Sequence, residues 1–96
     1  MKEPTVYIMA NQRNGAIYVG VTSNLIQRVW QHKNHLAHGF TKKYKITTLV
    51  YFEQSLTMES AISREKELKR WSREKKIFLI EEKNPYWMDL YDSIFK

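Results

Sequence analysis

The stretch from Met58 to Lys69 reads MESAISREKELK. On a helix turning 100° per residue, Met58, Ala61, Ile62 and Leu68 form one apolar stripe, and Glu65 falls near its middle. Burying a carboxylate costs several kcal/mol, comparable with the whole stability margin of a small domain, unless the group is paired or bound to a metal. Two readings of Glu65 follow. It sits at the edge of the core in an i,i+4 ion pair with Lys69, or it is a metal ligand. The neighbouring acids Glu59 and Glu67 project away from the stripe and read as solvated.

A second helical stretch, LIQRVWQHK, raises a similar question. Leu25, Val29 and Leu36 share a face, His32 falls inside it, and Arg28 lies at its edge one turn before His32. An arginine is always charged and presents a planar fork of donors suited to phosphate. The alternative is an arginine lying across the core rim and a histidine bonded to backbone. Tyr7 and Tyr18 are the third element. Each lies between apolar neighbours on a predicted strand, where tyrosines commonly serve as half-buried packing residues. If the strands pair, both hydroxyls point to one side of the sheet. Together these types suit phosphodiester cleavage. One carboxylate anchors a hydrated Mg²⁺ or Mn²⁺. An arginine neutralises charge developing on the phosphate. A tyrosine hydroxyl orients or deprotonates water.

The elements that must position these groups are readable in outline. Thr5 to Ala10 and Ala16 to Val21 read as strands joined by NQRNG, whose Asn-Gly is a strong hairpin signal. Gly20 inside the second strand marks a bulge or a close approach of backbone. Asn24 and Gln27 stand in the manner of a capping box, opening a helix from about Leu25 to His35. His38 to Lys45 reads as a loop, and Ile46 to Phe52 as the third strand. Ser55 or Thr57 caps a helix running to about Ser72, followed, after a bend, by Arg73 to Lys83. Asn84-Pro85 ends it. The tail carries Trp87, Leu90, Tyr91, Ile94 and Phe95, which suits packing back on the domain as a short helix or turn. The order β-β-α-β-α-α predicts an α+β fold, with a small three-stranded antiparallel sheet flanked by helices.

The totals bound the rest. Ninety-six residues predict one domain spanning 1–96, with no room for a second. A net charge of +6 favours a polyanionic partner, nucleic acid or an anionic membrane surface. No cysteine is present, which excludes a disulfide scaffold and a thiolate zinc site. No apolar run approaches the ~20 residues of a bilayer span, and the first residues lack the apolar core of a signal peptide. The expectation is a cytoplasmic protein that does not cross a membrane. There is no internal repeat and no low-complexity segment.

The ordered set of these residues resembles the GIY-YIG nuclease superfamily in its small stand-alone bacterial form. Val6-Tyr7-Ile8 stands at the first triplet and Tyr18-Val19-Gly20 at the second. Arg28 follows Gly20 by eight residues, where the family has its catalytic arginine, and with His32 it makes an R-x-x-x-H string. Ala61 to Glu65 resembles the helix with the metal-binding glutamate, while Leu79-Ile80 and Asn84-Pro85 resemble the closing segment. The resemblance runs from about Thr5 to Leu90. It implies that Glu65 binds one Mg²⁺ or Mn²⁺ ion and Arg28 holds the scissile phosphate. Tyr7 or Tyr18 is then the base or water-positioning group, His32 assists, and Asn84 stands at a polar site position. Gly20 would let the strand end approach the phosphate. Two departures stand out: Thr5-Val6 replaces the glycine and isoleucine of the first triplet, and Val21 replaces a lysine of the repair-incision branch. Lys42, Lys43 or Lys45 is the candidate substitute for that charge.

The activity implied is a metal-dependent endonuclease on DNA, including branched or structured DNA in repair or recombination, with RNA left open. The alternatives are a non-catalytic nucleic-acid-binding module and a docking subunit of a nuclease complex. For binding, Lys33, Lys42, Lys43, Lys45, Lys69, Arg70 and Arg73 are the candidate phosphate contacts, interleaved with Tyr44 and Trp71 for stacking. For docking, the aromatic tail is the candidate surface for a protein partner or a homo-oligomer.

Overall fold

The computed structural model describes residues 3–37 and 39–95. Strand β1 (Thr5–Ala10) is buried at every position. It lies in the middle of the sheet, with β2 (Ile17–Thr22) and β3 (Thr48–Gln54) antiparallel on either side. Because side chains alternate across a strand, β1 feeds two cores. Val6, Ile8 and Ala10 join Val19, Val50, Ala61, Leu68, Ile80 and Trp87 on one face. Tyr7 and Met9 join Leu25, Val29, Ile46, Leu49 and Ile94 on the other. This is the α+β fold with a three-stranded antiparallel sheet that the sequence predicts.

Helix α1 (Leu25–Lys33) starts at Asn24, whose Oδ1 accepts from Gln27 N at 3.2 Å. It ends two residues before the predicted His35. His35 takes φ 56°, and the amides of His35 and Leu36 donate back to the carbonyls of His32 and Gln31. That pair of reverse bonds closes the helix. Leu36 is left 65% exposed instead of joining the apolar stripe.

The segment read as a loop contains a short helix, α2 (Gly39–Lys43). His38, placed in the same loop by the sequence, lies outside the described residues. The same left-handed closure ends α2: Lys45 has φ 53°, and Lys45 N and Ile46 N donate to Lys42 O and Thr41 O. Ile46 is therefore buried as an anchor before β3, which starts at Thr48, two residues later than predicted. An irregularity between Ile8 and Met9 in the β1–β3 pairing lets Val50 and Tyr51 both reach the first core.

Helix α3 (Met58–Arg70) is capped by Thr57, and α4 (Arg73–Lys83) by Ser72, with the break at Trp71. Ala61 and Leu68 are buried, but Ile62, expected in the stripe, is 37% exposed. Arg64 locks α3 to the sheet through Glu53 (2.5 Å) and also holds Glu67 (2.9 Å), so Glu67 is paired and only partly solvated. The tail packs back as a 3-10 helix (Tyr91–Phe95). Trp87 and Ile94 enter the cores, and the Trp87 indole donates to Glu81 at 2.7 Å. Among the described residues no helix is long and apolar enough to cross a membrane.

Candidate active site

Tyr7 and Tyr18 lie on neighbouring strands and on one face, since Tyr7 pairs with Gly20 and Tyr18 with Met9. Their ring centroids are 6.3 Å apart. A Cβ built on Gly20 would stand 2.5 Å from Cζ and Oη of Tyr7. The glycine is buried and leaves room for the tyrosine ring. That is a reason for glycine at this position within the fold itself. The pairing irregularity lies on the β3 side of β1 and not at Gly20.

Helix α1 lays Arg28 and His32 over the two tyrosines. The Tyr7 hydroxyl lies 3.0 Å from His32 Nε2, and His32 Nδ1 lies 3.2 Å from Thr41 Oγ1. All three side chains are buried. The imidazole centroid is 5.7 Å from the Tyr7 ring and 5.6 Å from the Tyr18 ring. Arg28 lies near enough to lower the pKa of Tyr7, and its Nε donates to Gln31 Oε1 at 3.2 Å. Burial pushes the Tyr7 phenol up to about 12 and Tyr18 adds to the rise, while Arg28 pulls it back. The carboxylate of Glu65 also acts on Tyr7, pushing it upward.

That last effect places Glu65. Helix α3 packs over β1 and over β2, one of the two edge strands, and Glu65 reaches Tyr18 through its partner Lys69. Its side chain is 14% exposed and pairs with Lys69 at 2.8 Å. Lys69 Nζ stands 5.9 Å above the Tyr18 ring. Of the two readings of Glu65, the ion pair with Lys69 is the one that forms, and it forms beside Tyr18. Among the described residues no cluster of three or more His, Cys, Asp or Glu side chains gathers to hold a metal.

An open pocket of about 290 Å³ is lined by Tyr18, Arg28, Gln31, His32 and Ala37. An aromatic ledge continues from it along α2. Phe40 stacks 6.4 Å from Tyr18 and 4.9 Å from Tyr44, and Phe40 and Tyr44 are 40% and 43% exposed. Lys42, Lys43 and Lys45 surround the ledge and are exposed, as is Arg70 on α3.

Three other predicted groups are engaged elsewhere. Lys33 bonds to Asp89 and to Thr47 O (2.9 Å) and lies over the Tyr91 ring, tying the tail to α1. Arg73 donates to the carbonyls of Asn14 (2.8 Å) and Gly15 (2.6 Å), bracing the hairpin turn. Asn84 is buried as the C-cap of α4. Its amide bonds Val50 O, Met88 O and Met88 N, so here it holds the tail against β3. Thr41 was not foreseen as a member of the site, because it falls in the stretch read as a loop. A threonine among lysines carries no signal of what it will touch.

The site thus gathers buried Tyr7 and His32, half-buried Arg28 and, from α3, the carboxylate of Glu65 on one side of a three-stranded sheet. The chain belongs to the GIY-YIG family: residues 3–77 match the family's catalytic-domain model. It is 34% identical to a UPF0213 protein of Staphylococcus saprophyticus over 82 residues, covering 85% of this chain and 99% of that one. It is also 34% identical to a UPF0213 protein of Staphylococcus haemolyticus over 83 residues, covering 86% and 100%. Among solved structures it resembles the solution NMR structure of a UPF0213 protein from Bacillus halodurans. The TM-score there is 0.53 at 28% identity, with 85% and 86% of the chains covered.

Proposed function

We propose that this protein is a divalent-metal-dependent endonuclease that hydrolyses phosphodiester bonds in DNA. The observation that carries the reading is the shared Tyr7 hydroxyl. It meets His32 directly and feels the charges of Arg28 and Glu65. A tyrosine whose phenol is pushed up to about 12 is neutral at pH 7 and is a poor base by itself. His32 Nε2, 3.0 Å away, supplies the missing acceptor. Tyr7 is fully buried, so the water that attacks phosphorus is positioned by Tyr18 at the pocket wall, and its proton leaves toward His32 Nε2, beside which the Tyr7 hydroxyl stands. The bond to the leaving oxygen then breaks. This needs the tautomer in which His32 Nδ1–H donates to Thr41 Oγ1, and the 3.2 Å contact suits it. Arg28 binds the phosphate and neutralises the charge that develops on it.

Glu65 is the side chain that would hold a Mg²⁺ or Mn²⁺ ion. One deep carboxylate suits an ion that keeps most of its waters. When bound, such an ion polarises the phosphate and stabilises the leaving oxyanion. The exposed aromatics of the ledge, flanked by lysines, suit bases that are free to stack. The preferred substrate is therefore DNA with an unpaired segment beside the scissile bond, such as a branch or flap, in a cytoplasmic repair or recombination setting.

The Lys69–Glu65 ion pair supports a second reading, a binding module that does not cut. Nicking assays on plasmid and flapped DNA, with and without Mg²⁺ or Mn²⁺, separate the two. The nuclease reading expects metal-dependent nicking lost in Arg28→Ala and Glu65→Gln. Equal activity in wild type and both variants would sink it. Metal-independent binding without cleavage would favour the module.

A further inference from the structure

The apolar residues of the tail, expected as a contact surface, are partly drawn into the cores through Trp87 and Ile94. A different apolar surface stays open on α4. Trp71, Phe78 and Leu79, with Glu74, Lys75 and Glu82, line a groove of about 470 Å³. Phe78 is 67% exposed at its centre. Lys75, Phe78 and Glu82 follow one another at spacings of three and four, so they share one face of α4, and Trp71, at the break before the helix, adjoins it beneath Lys75.

We propose that a second copy of this chain occupies the groove, with the two α4 helices antiparallel across a two-fold axis between Phe78 and Leu79. The charge pattern selects this partner and this register. In this register Lys75 faces Glu82 of the second copy, and symmetry makes the pair twice. A parallel arrangement sets Glu82 on Glu82 and Lys75 on Lys75. An antiparallel one with its axis through Phe78 sets Glu74 on Glu82. Both are repulsive. Among the described residues neither Glu74 nor Glu82 has an ion pair within its own chain, and Lys75 rests on the Trp71 ring at 5.1 Å. The charges are thus available to a partner. An 11-residue helix spans about 16 Å. That face is smaller than the roughly 800 Å² per partner of a stable interface, so the dimer is concentration-dependent. The inference stands apart from the nuclease reading, since no residue of the groove lies in the pocket at Tyr18 and Arg28.

Sedimentation equilibrium of the full chain over roughly 5 to 500 µM tests it. Wild type should pass from monomer to dimer. Phe78→Asp should stay monomeric with an unchanged circular dichroism spectrum, and the milder Phe78→Ser should weaken association if the first variant misfolds. Lys75→Glu and Glu82→Lys should each weaken dimerisation about tenfold, and the double exchange should restore it. A monomer at every concentration overturns the proposal, as does a dimer indifferent to Phe78. Failure of the double exchange to rescue overturns the antiparallel register.

Discussion

The two faces of β1 differ in kind. Val6, Ile8 and Ala10 look into a mainly aliphatic core that also holds Tyr51 and Trp87 and is covered by α3 and α4. Tyr7 looks into a face of similar depth, where it meets an imidazole, a guanidinium and a second phenol. Burial is complete on both sides. On the first face it contributes stability. On the second it shapes acidity, because burial raises the Tyr7 phenol and leaves its proton to be shared with His32. One strand can serve both ends because its side chains alternate, and a change at one position should leave the other face intact.

Substitutions can break that separation, and the largest effects come first. Arg28→Ala should lower nicking about 10²–10³-fold with little change in melting temperature, measured by plasmid relaxation and thermal unfolding. Ile8→Ala, one residue from Tyr7 but on the other face, should cost about 2–5 kcal/mol of stability in urea titration. Its activity below the unfolding transition should be nearly normal. Gly20→Ala should damage both properties, because its new Cβ collides with the Tyr7 ring. A loss of about 1–3 kcal/mol is expected. A double-mutant cycle with Tyr7→Ala, which removes the ring, should show that most of this loss vanishes.

The next test reads acidity directly. With ¹³C-labelled tyrosine, Tyr7 should titrate near pH 12, well above the ordinary 10.0. Its folded-state value is raised, so its contribution to stability is complete below pH 10 and is lost as pH climbs from there toward 12. Arg28→Ala should raise the value further, since the arginine pulls it down. The smallest effect belongs to the caps. Lys45→Gly should stabilise the protein by about 0.5–1 kcal/mol, because a lysine at φ 53° is strained where glycine is not.

What the sequence revealed follows the same division. The alternation of β1, the Asn-Gly hairpin, and the placing of Glu65 and His32 within apolar stripes were legible, because each is a periodic or local signal. The short helix α2 was not. Five residues carry too little periodicity, and its closure depends on Lys45 entering the left-handed region, which lysine does not announce. The ends of α1 and β3 moved for the same reason. The engagement of Lys33, Arg73 and Asn84 was also hidden. Apart from Met88 beside Asn84, their partners lie 14 to 59 residues away in the chain, and a basic side chain looks alike in sequence whether it meets a phosphate or a carbonyl.

Helix α2 has a further consequence. A helix of one turn and a half has no stability of its own, because nucleation costs more than so few bonds return. It holds its place through Thr41, Ile46 and its reverse bonds, and it supplies the hydroxyl at His32 Nδ1. The orientation of the histidine is therefore only as durable as this segment, which should be among the first parts of the chain to exchange its amide hydrogens. A base stacked on Phe40 and Tyr44 would press on the same turn. On the proposed nuclease reading, capturing the nucleic acid and fixing the tautomer of the histidine would become one cooperative event, and the protein would be fully organised for cleavage only with a substrate on the ledge.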